Sequence, residues 1–132
     1  MTTHNVATLL AYDCWSLLGE AEIARVAWQG ADGIALVPVN YAVGEAAIWF
    51  RVEPESKLAR ECDGQQVVVE VDRVDSETRT AWSVVVVGIA HLVDELDVPD
   101  TLIEMRVWPG GPRRRFVRVE PDRLTGRRLL SA

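Results

Sequence analysis

The stretch Thr80 to Val93 is the longest strand-like run in the chain, and both of its faces are mostly apolar. One face carries Ala81, Ser83, Val85, Val87 and Ile89. The other carries Thr80, Trp82, Val84, Val86, Gly88 and Ala90. A strand of an antiparallel sheet normally wets one face. A strand apolar on both faces therefore predicts a barrel interior on one side and a helix or second subunit on the other.

The remaining periodicity agrees with this. Ile23 to Trp28 reads as a strand ended by the hairpin signal Gly30-Ala31-Asp32-Gly33. Ile34 to Tyr41 follows. Pro38 cannot donate to a ladder, which predicts an edge or a bulge there. Gly44-Glu45 turns the chain into Ala47 to Val52. Val67, Val69 and Val71 alternate with Val68, Glu70 and Asp72, the pattern of a half-buried strand. Phe116 to Glu120 and Leu124 to Leu129 predict two closing strands separated by Pro121-Asp122. Helices are expected after Asp13 as N-cap with Gly19 as stop, over Pro54 to Arg60, and over Asp97 to Met105. Six or seven strands with tight turns and short helices predict a mainly β chain built as a small barrel. At 132 residues, one domain over 1–132 is expected.

Charge narrows the partners. The net charge is −6, which excludes nucleic acid as the main partner. Residues 113–132 hold seven Arg against Glu120 and Asp122. This basic end is expected to neutralise the acidic body, in the same chain or in a partner subunit. The apolar run Val84 to Ala90 is far short of the ~18 residues of a membrane span. With no signal-peptide pattern at the N-terminus, the expected location is the cytoplasm. Cys14 and Cys62 show no metal-ligand spacing and are expected as buried free thiols.

One segment carries recognisable binding chemistry. The chain has 13 Arg and a single lysine, Lys57. It sits in Phe50-Arg51-Val52-Glu53-Pro54-Glu55-Ser56-Lys57-Leu58, where a strand ending in Arg51 leads through a proline turn to a hydroxyl and an ammonium at a helix start. A guanidinium fork, a hydroxyl donor, a point charge and open helix N–H groups are what phosphate binding requires. Read as surface charges instead, Lys57 would pair with Glu53 or Glu61. Ile48 and Phe50 share one strand face, so Arg51 points away from the face expected to be core. Trp15, Trp28 and Trp49 read as packing, and His91 as a structural or solvent-edge histidine. No His-Glu-x-x-His, Gly-rich dinucleotide loop or Gly-x-Ser-x-Gly pattern is present, so hydrolase and Rossmann chemistry have no support.

In order and spacing, Val37-Pro38-Val39-Asn40-Tyr41, Ile48-Trp49-Phe50-Arg51, Ser56-Lys57-Leu58, Thr80-Ala81-Trp82-Ser83-Val84 and Gly88-Ile89-Ala90 resemble small bacterial proteins of the pyridoxamine 5'-phosphate oxidase-like family. The tail Arg118 to Arg128 fits as well, so the likeness spans roughly residues 12–130. It implies a split β-barrel of about six strands, a homodimer, and a flavin mononucleotide (FMN) site in the cleft between subunits. Val39, Asn40 and Tyr41 would lie along the flavin ring. Arg51, Ser56 and Lys57 would hold the phosphate. Trp82 and Ser83 would line the cleft, from the same or the second subunit. Apart from the resemblance, the position of Trp108 beside Pro109-Gly110-Gly111 suits a cap on that cleft from a loop. The activity that the resemblance implies is that of a flavin-dependent oxidoreductase. Two alternatives are a flavin or haem carrier without turnover, and a deazaflavin reductase, whose acidic cofactor tail Arg residues of 113–118 would favour. Glu55 stands where relatives often carry a small residue. The C-terminal substrate-binding residues of full-length pyridoxamine-phosphate oxidases are not found here, so vitamin B6 oxidation is not expected.

Overall fold

The computed structural model describes residues 5–102 and 115–130. Seven antiparallel strands form one sheet: β1 (Asn5–Thr8), β2 (Ile23–Gly30), β3 (Gly33–Gly44), β4 (Ala47–Val52), β5 (Gln66–Asp75), β6 (Thr80–Val93) and β7 (Arg115–Leu130). Their order is β1-β7-β4-β3-β2-β5-β6, and β6 pairs back onto β7. Six strands thus close into a ring, with β1 appended to β7. Helix α1 (Ala11–Leu18) and helix α2 (Lys57–Cys62) pack on the ring. This is a split β-barrel, as the sequence pattern and the family resemblance together predict.

The split has a definite position. β3 pairs with β2 along Gly33 to Asn40, but with β4 only over Tyr41–Gly44. The β3–β4 ladder stops at Tyr41↔Phe50, one step short of joining Asn40 to Arg51. The Tyr41 N–H donates to the Glu22 carbonyl at 3.1 Å. Antiparallel pairs alternate between bonded and non-bonded, so Ile34, Leu36, Pro38 and Asn40 turn their backbone groups to the open side. Pro38 therefore sits where its missing N–H removes no β2–β3 bond, as expected of an edge proline.

The barrel interior is filled by alternate residues of each strand. Val26, Phe50, Val67, Val69, Val71, Val84, Val86, Val117 and Val119 are all fully buried there. A second cluster lies on the other face of β4, where Ala47, Trp49 and Phe116 meet Val98 and Leu102. Ile48 and Phe50 thus face the barrel interior as expected, and the opposite face, shared by Arg51 and Trp49, is itself packed at Trp49. On β6 the inner face is buried and the outer face only half-buried. The expected outer cover is not supplied within the described residues.

Several boundaries differ from expectation. α1 starts at Ala11 with Leu10 as an N-cap that makes no side-chain bond, so Asp13 lies in the first turn instead of capping. α2 starts at Lys57, after a turn holding Pro54, and Ser56 is its cap. The two strands expected at the C-terminal end are one, β7, which runs through Pro121. The β6–β7 register shifts between Val87↔Arg123 and Gly88↔Pro121, and a bulge is one of the few places a strand tolerates proline. Gly88 is required at that bulge, because a Cβ there would overlap the Glu120 carbonyl oxygen. In place of one helix from Asp97, short 3₁₀ turns occupy Glu95–Asp97 and Asp100–Leu102, and the remainder of that expected helix lies outside the described residues.

Candidate functional site

A cleft of about 310 Å³ opens where β3 and β4 separate. One wall is Trp28, Ala35, Val37 and Val39 from the β2–β3 hairpin. The other is Arg51, Val52, Glu53, Ser56, Lys57 and Leu58 from β4 and α2. Four of the residues singled out in the sequence, Val39, Arg51, Ser56 and Lys57, therefore meet in one cavity. Inward-pointing odd residues of β3 form its apolar wall, and the chain leaving β4 places the polar groups opposite. Its volume is at the lower end for small-ligand pockets.

The polar wall is ordered by its own bonds. The Ser56 hydroxyl oxygen accepts from the Ala59 N–H at 3.1 Å, which leaves its hydrogen available to a ligand. α2 is only six residues long, so the anion-binding character here rests on side chains more than on the helix terminus. Lys57 Nζ pairs with Asp32 Oδ2 at 3.1 Å, in place of the Glu53 or Glu61 partner considered from sequence. Glu61 makes other contacts. It accepts from Trp28 Nε1 at 2.9 Å and from the Ala31 N–H at 3.1 Å. These bonds, the indole's first, hold its carboxyl below the usual range, with the Lys57 charge adding to them. Glu55 is exposed and stands outside the cleft lining, whereas Glu53 lines the cleft beside Arg51.

The other named residues are placed elsewhere. Asn40 is exposed at the mouth of the split, with its backbone on the open side of β3. Tyr41 is buried, and its hydroxyl donates to the Leu18 carbonyl at the end of α1. Burial pushes that phenol up to about 12. Any part Tyr41 has in a ligand site is thus through backbone or packing. Trp82 and Ser83 line a second cleft of about 300 Å³ with Val6, Glu70, Asp72, Val74, Ala81, Arg127 and Leu129. Within one chain they do not meet Arg51 and Lys57. Trp108, Arg113 and Arg114 lie outside the described residues. Trp28 is expected from sequence only as packing. It is also a cleft wall, a role visible only once the β2–β3 hairpin faces α2.

The second cleft holds a carboxylate pair that sequence reading did not single out. Arg25 Nη1 lies 3.2 Å from Glu70 Oε1 and 3.1 Å from Asp72 Oδ2. One cation serves two acids on the same face of β5. Desolvation first, then the hydrogen bond and charge of Asp72, push Glu70 up to about 7, against the pull of Arg25. A carboxyl raised on folding stabilises the fold fully below its unfolded value, and that contribution is lost as pH rises through about 7. Glu70→Gln, which keeps the neutral form, is therefore expected to gain stability relative to wild type between pH 4 and pH 8. Thermal melts at the two pH values measure this, and parallel curves would contradict it.

A family model described as pyridoxamine 5'-phosphate oxidase matches residues 11–128. An uncharacterized protein of Mycobacterium tuberculosis is 30% identical over 124 residues, covering 87% of this chain and 80% of its own. The FAD binding protein of Mycobacterium smegmatis is similar in structure, with a TM-score of 0.73 and 29% identity over 94% of this chain and 98% of that one. An FAD-binding protein of Mesorhizobium loti shares the fold, with a TM-score of 0.75 and 23% identity over 98% of this chain and 100% of that one.

Proposed function

Because the chain belongs to the pyridoxamine 5'-phosphate oxidase-like family, we propose that it is a flavin-binding oxidoreductase that holds FMN by its phosphate at the Asn40–Arg51 split. The observation that carries this is the meeting of Arg51, Ser56 and Lys57 with an apolar strand wall in a single cleft. Arg51 supplies a fork, Ser56 a hydroxyl donor and Lys57 a point charge for a phosphate. Val39 and its neighbours on β3 supply an apolar surface, and the open backbone of Asn40 supplies groups to pair with a ring edge. Bound flavin supplies hydride and electron transfer, while the protein supplies binding, orientation and electrostatics.

A homodimer completes the site in this reading. Its support is the separation, within one chain, of Trp82 and Ser83 from the phosphate cleft. The outer face of β6 adds to it. Val85, Val87 and Ile89 are half-buried there, with Glu70 and Asp72 on one flanking strand and Arg123 and Arg127 on the other. Two copies facing each other about an axis along β6 would set acids against arginines. The buried free thiols Cys14 and Cys62 suit a reducing cytoplasm.

The test is to purify the protein, record its visible spectrum and weigh the cofactor released on denaturation. A yellow protein releasing FMN is expected, followed by reduction with NADH or NADPH and turnover of an acceptor. A colourless protein that takes up neither flavin nor deazaflavin would overturn the proposal.

A further inference from the structure

One cation of the cleft, Lys57, already has an anion. Lys57 Nζ pairs with Asp32 Oδ2 at 3.1 Å, and Asp32 sits at the tip of the β2–β3 hairpin with most of its side chain in solvent. The pair joins the two walls of the cleft, since the hairpin forms one and α2 the other. The hairpin does not depend on that pair for its place. Glu61 grips it separately, through Trp28 Nε1 and the Ala31 N–H. The backbone of Lys57 is set by the Ser56 cap. What remains free to move is the Lys57 ammonium, at the end of a flexible four-carbon stem.

Resting on the flavin-phosphate reading above, we propose that Asp32 is a specificity-determining residue that competes with the cofactor phosphate for Lys57. A phosphate monoester brings about −1.5 to −2 charge near neutral pH. It takes over Lys57 only by displacing or sharing with Asp32, and it then lies near that carboxylate. Asp32 therefore lowers the affinity of the cleft for a terminal phosphate while leaving the apolar ring contacts alone. It acts through Lys57, so its effect requires Lys57 to be present.

The experiment measures FMN and riboflavin affinities for wild type, Asp32→Asn, Asp32→Glu, Lys57→Ala and the Asp32→Asn/Lys57→Ala double variant at low salt. An exposed ion pair of this kind sets the scale, so Asp32→Asn is expected to bind FMN about two- to fivefold tighter. Riboflavin affinity should not change, Asp32→Glu should match wild type, and most of the gain should vanish in the Lys57→Ala background. Unchanged or weaker FMN binding in Asp32→Asn would overturn the role. So would an equal gain for riboflavin, or a full gain without Lys57. A wild type that prefers FMN while Asp32→Asn does nothing removes only the role of Asp32. A wild type that binds FMN no better than riboflavin removes the phosphate reading, and Asp32 with it.

Discussion

Replacing both cations of the cleft, Arg51→Ala with Lys57→Ala, is expected to weaken FMN binding by about a hundredfold. Each charge-assisted hydrogen bond to phosphate contributes about 1.5–3 kcal/mol, which is roughly ten- to a hundredfold in affinity. The two side chains face one cavity, so their losses need not add. Either single variant should still show the smaller loss. Fluorescence titration of FMN against the folded variants reads the effect directly. Unchanged affinity in both single variants would remove the phosphate assignment. The exposed Glu55 provides a control, since its carboxylate stands outside the cleft lining and its removal should matter far less.

Phe50→Ala carries the largest expected cost to the fold. Phe50 is fully buried and lies between Tyr41 of β3 and Val117 of β7, one residue before the split. Truncating a buried Phe costs about 3–5 kcal/mol, from lost transfer energy and the cavity left behind. Total stability is only about 5–15 kcal/mol. In a chain of this size the melting temperature should fall by roughly 10–20 °C. Circular dichroism melts measure it, and a change below about 1 kcal/mol would mean that the barrel interior is not packed as described. The position also links stability to the site, because the strand that buries Phe50 places Arg51 at the cleft.

Much of this was legible in the sequence for physical reasons. The alternation of Val67, Val69 and Val71 marks a strand whatever surrounds it. Pro38 marks an open side of β3, because a proline cannot complete a ladder. Arg51, Ser56 and Lys57 lie within seven residues of one another, so their meeting depends only on local turn chemistry. What was missed depends on distant pairing. β1 is exposed along its length and exists through its ladder with β7. Continuity of β7 through Pro121 depends on the bulge opposite Gly88, on another strand. Asp32 lies 25 residues from Lys57, and nearer carboxylates at Glu53 and Glu61 hid it as the partner. Glu61 is directed to Trp28 and Ala31 by a hairpin position that no local pattern encodes.

Recognition of a flavin by its phosphate in this cleft is read from the ratio of wild-type affinities for FMN and riboflavin. The ring is the same in both, so the ratio isolates the contribution of Arg51, Ser56 and Lys57. FMN is expected to bind at least about tenfold tighter, with the preference falling as salt is raised. Equal affinities for the two flavins would contradict it.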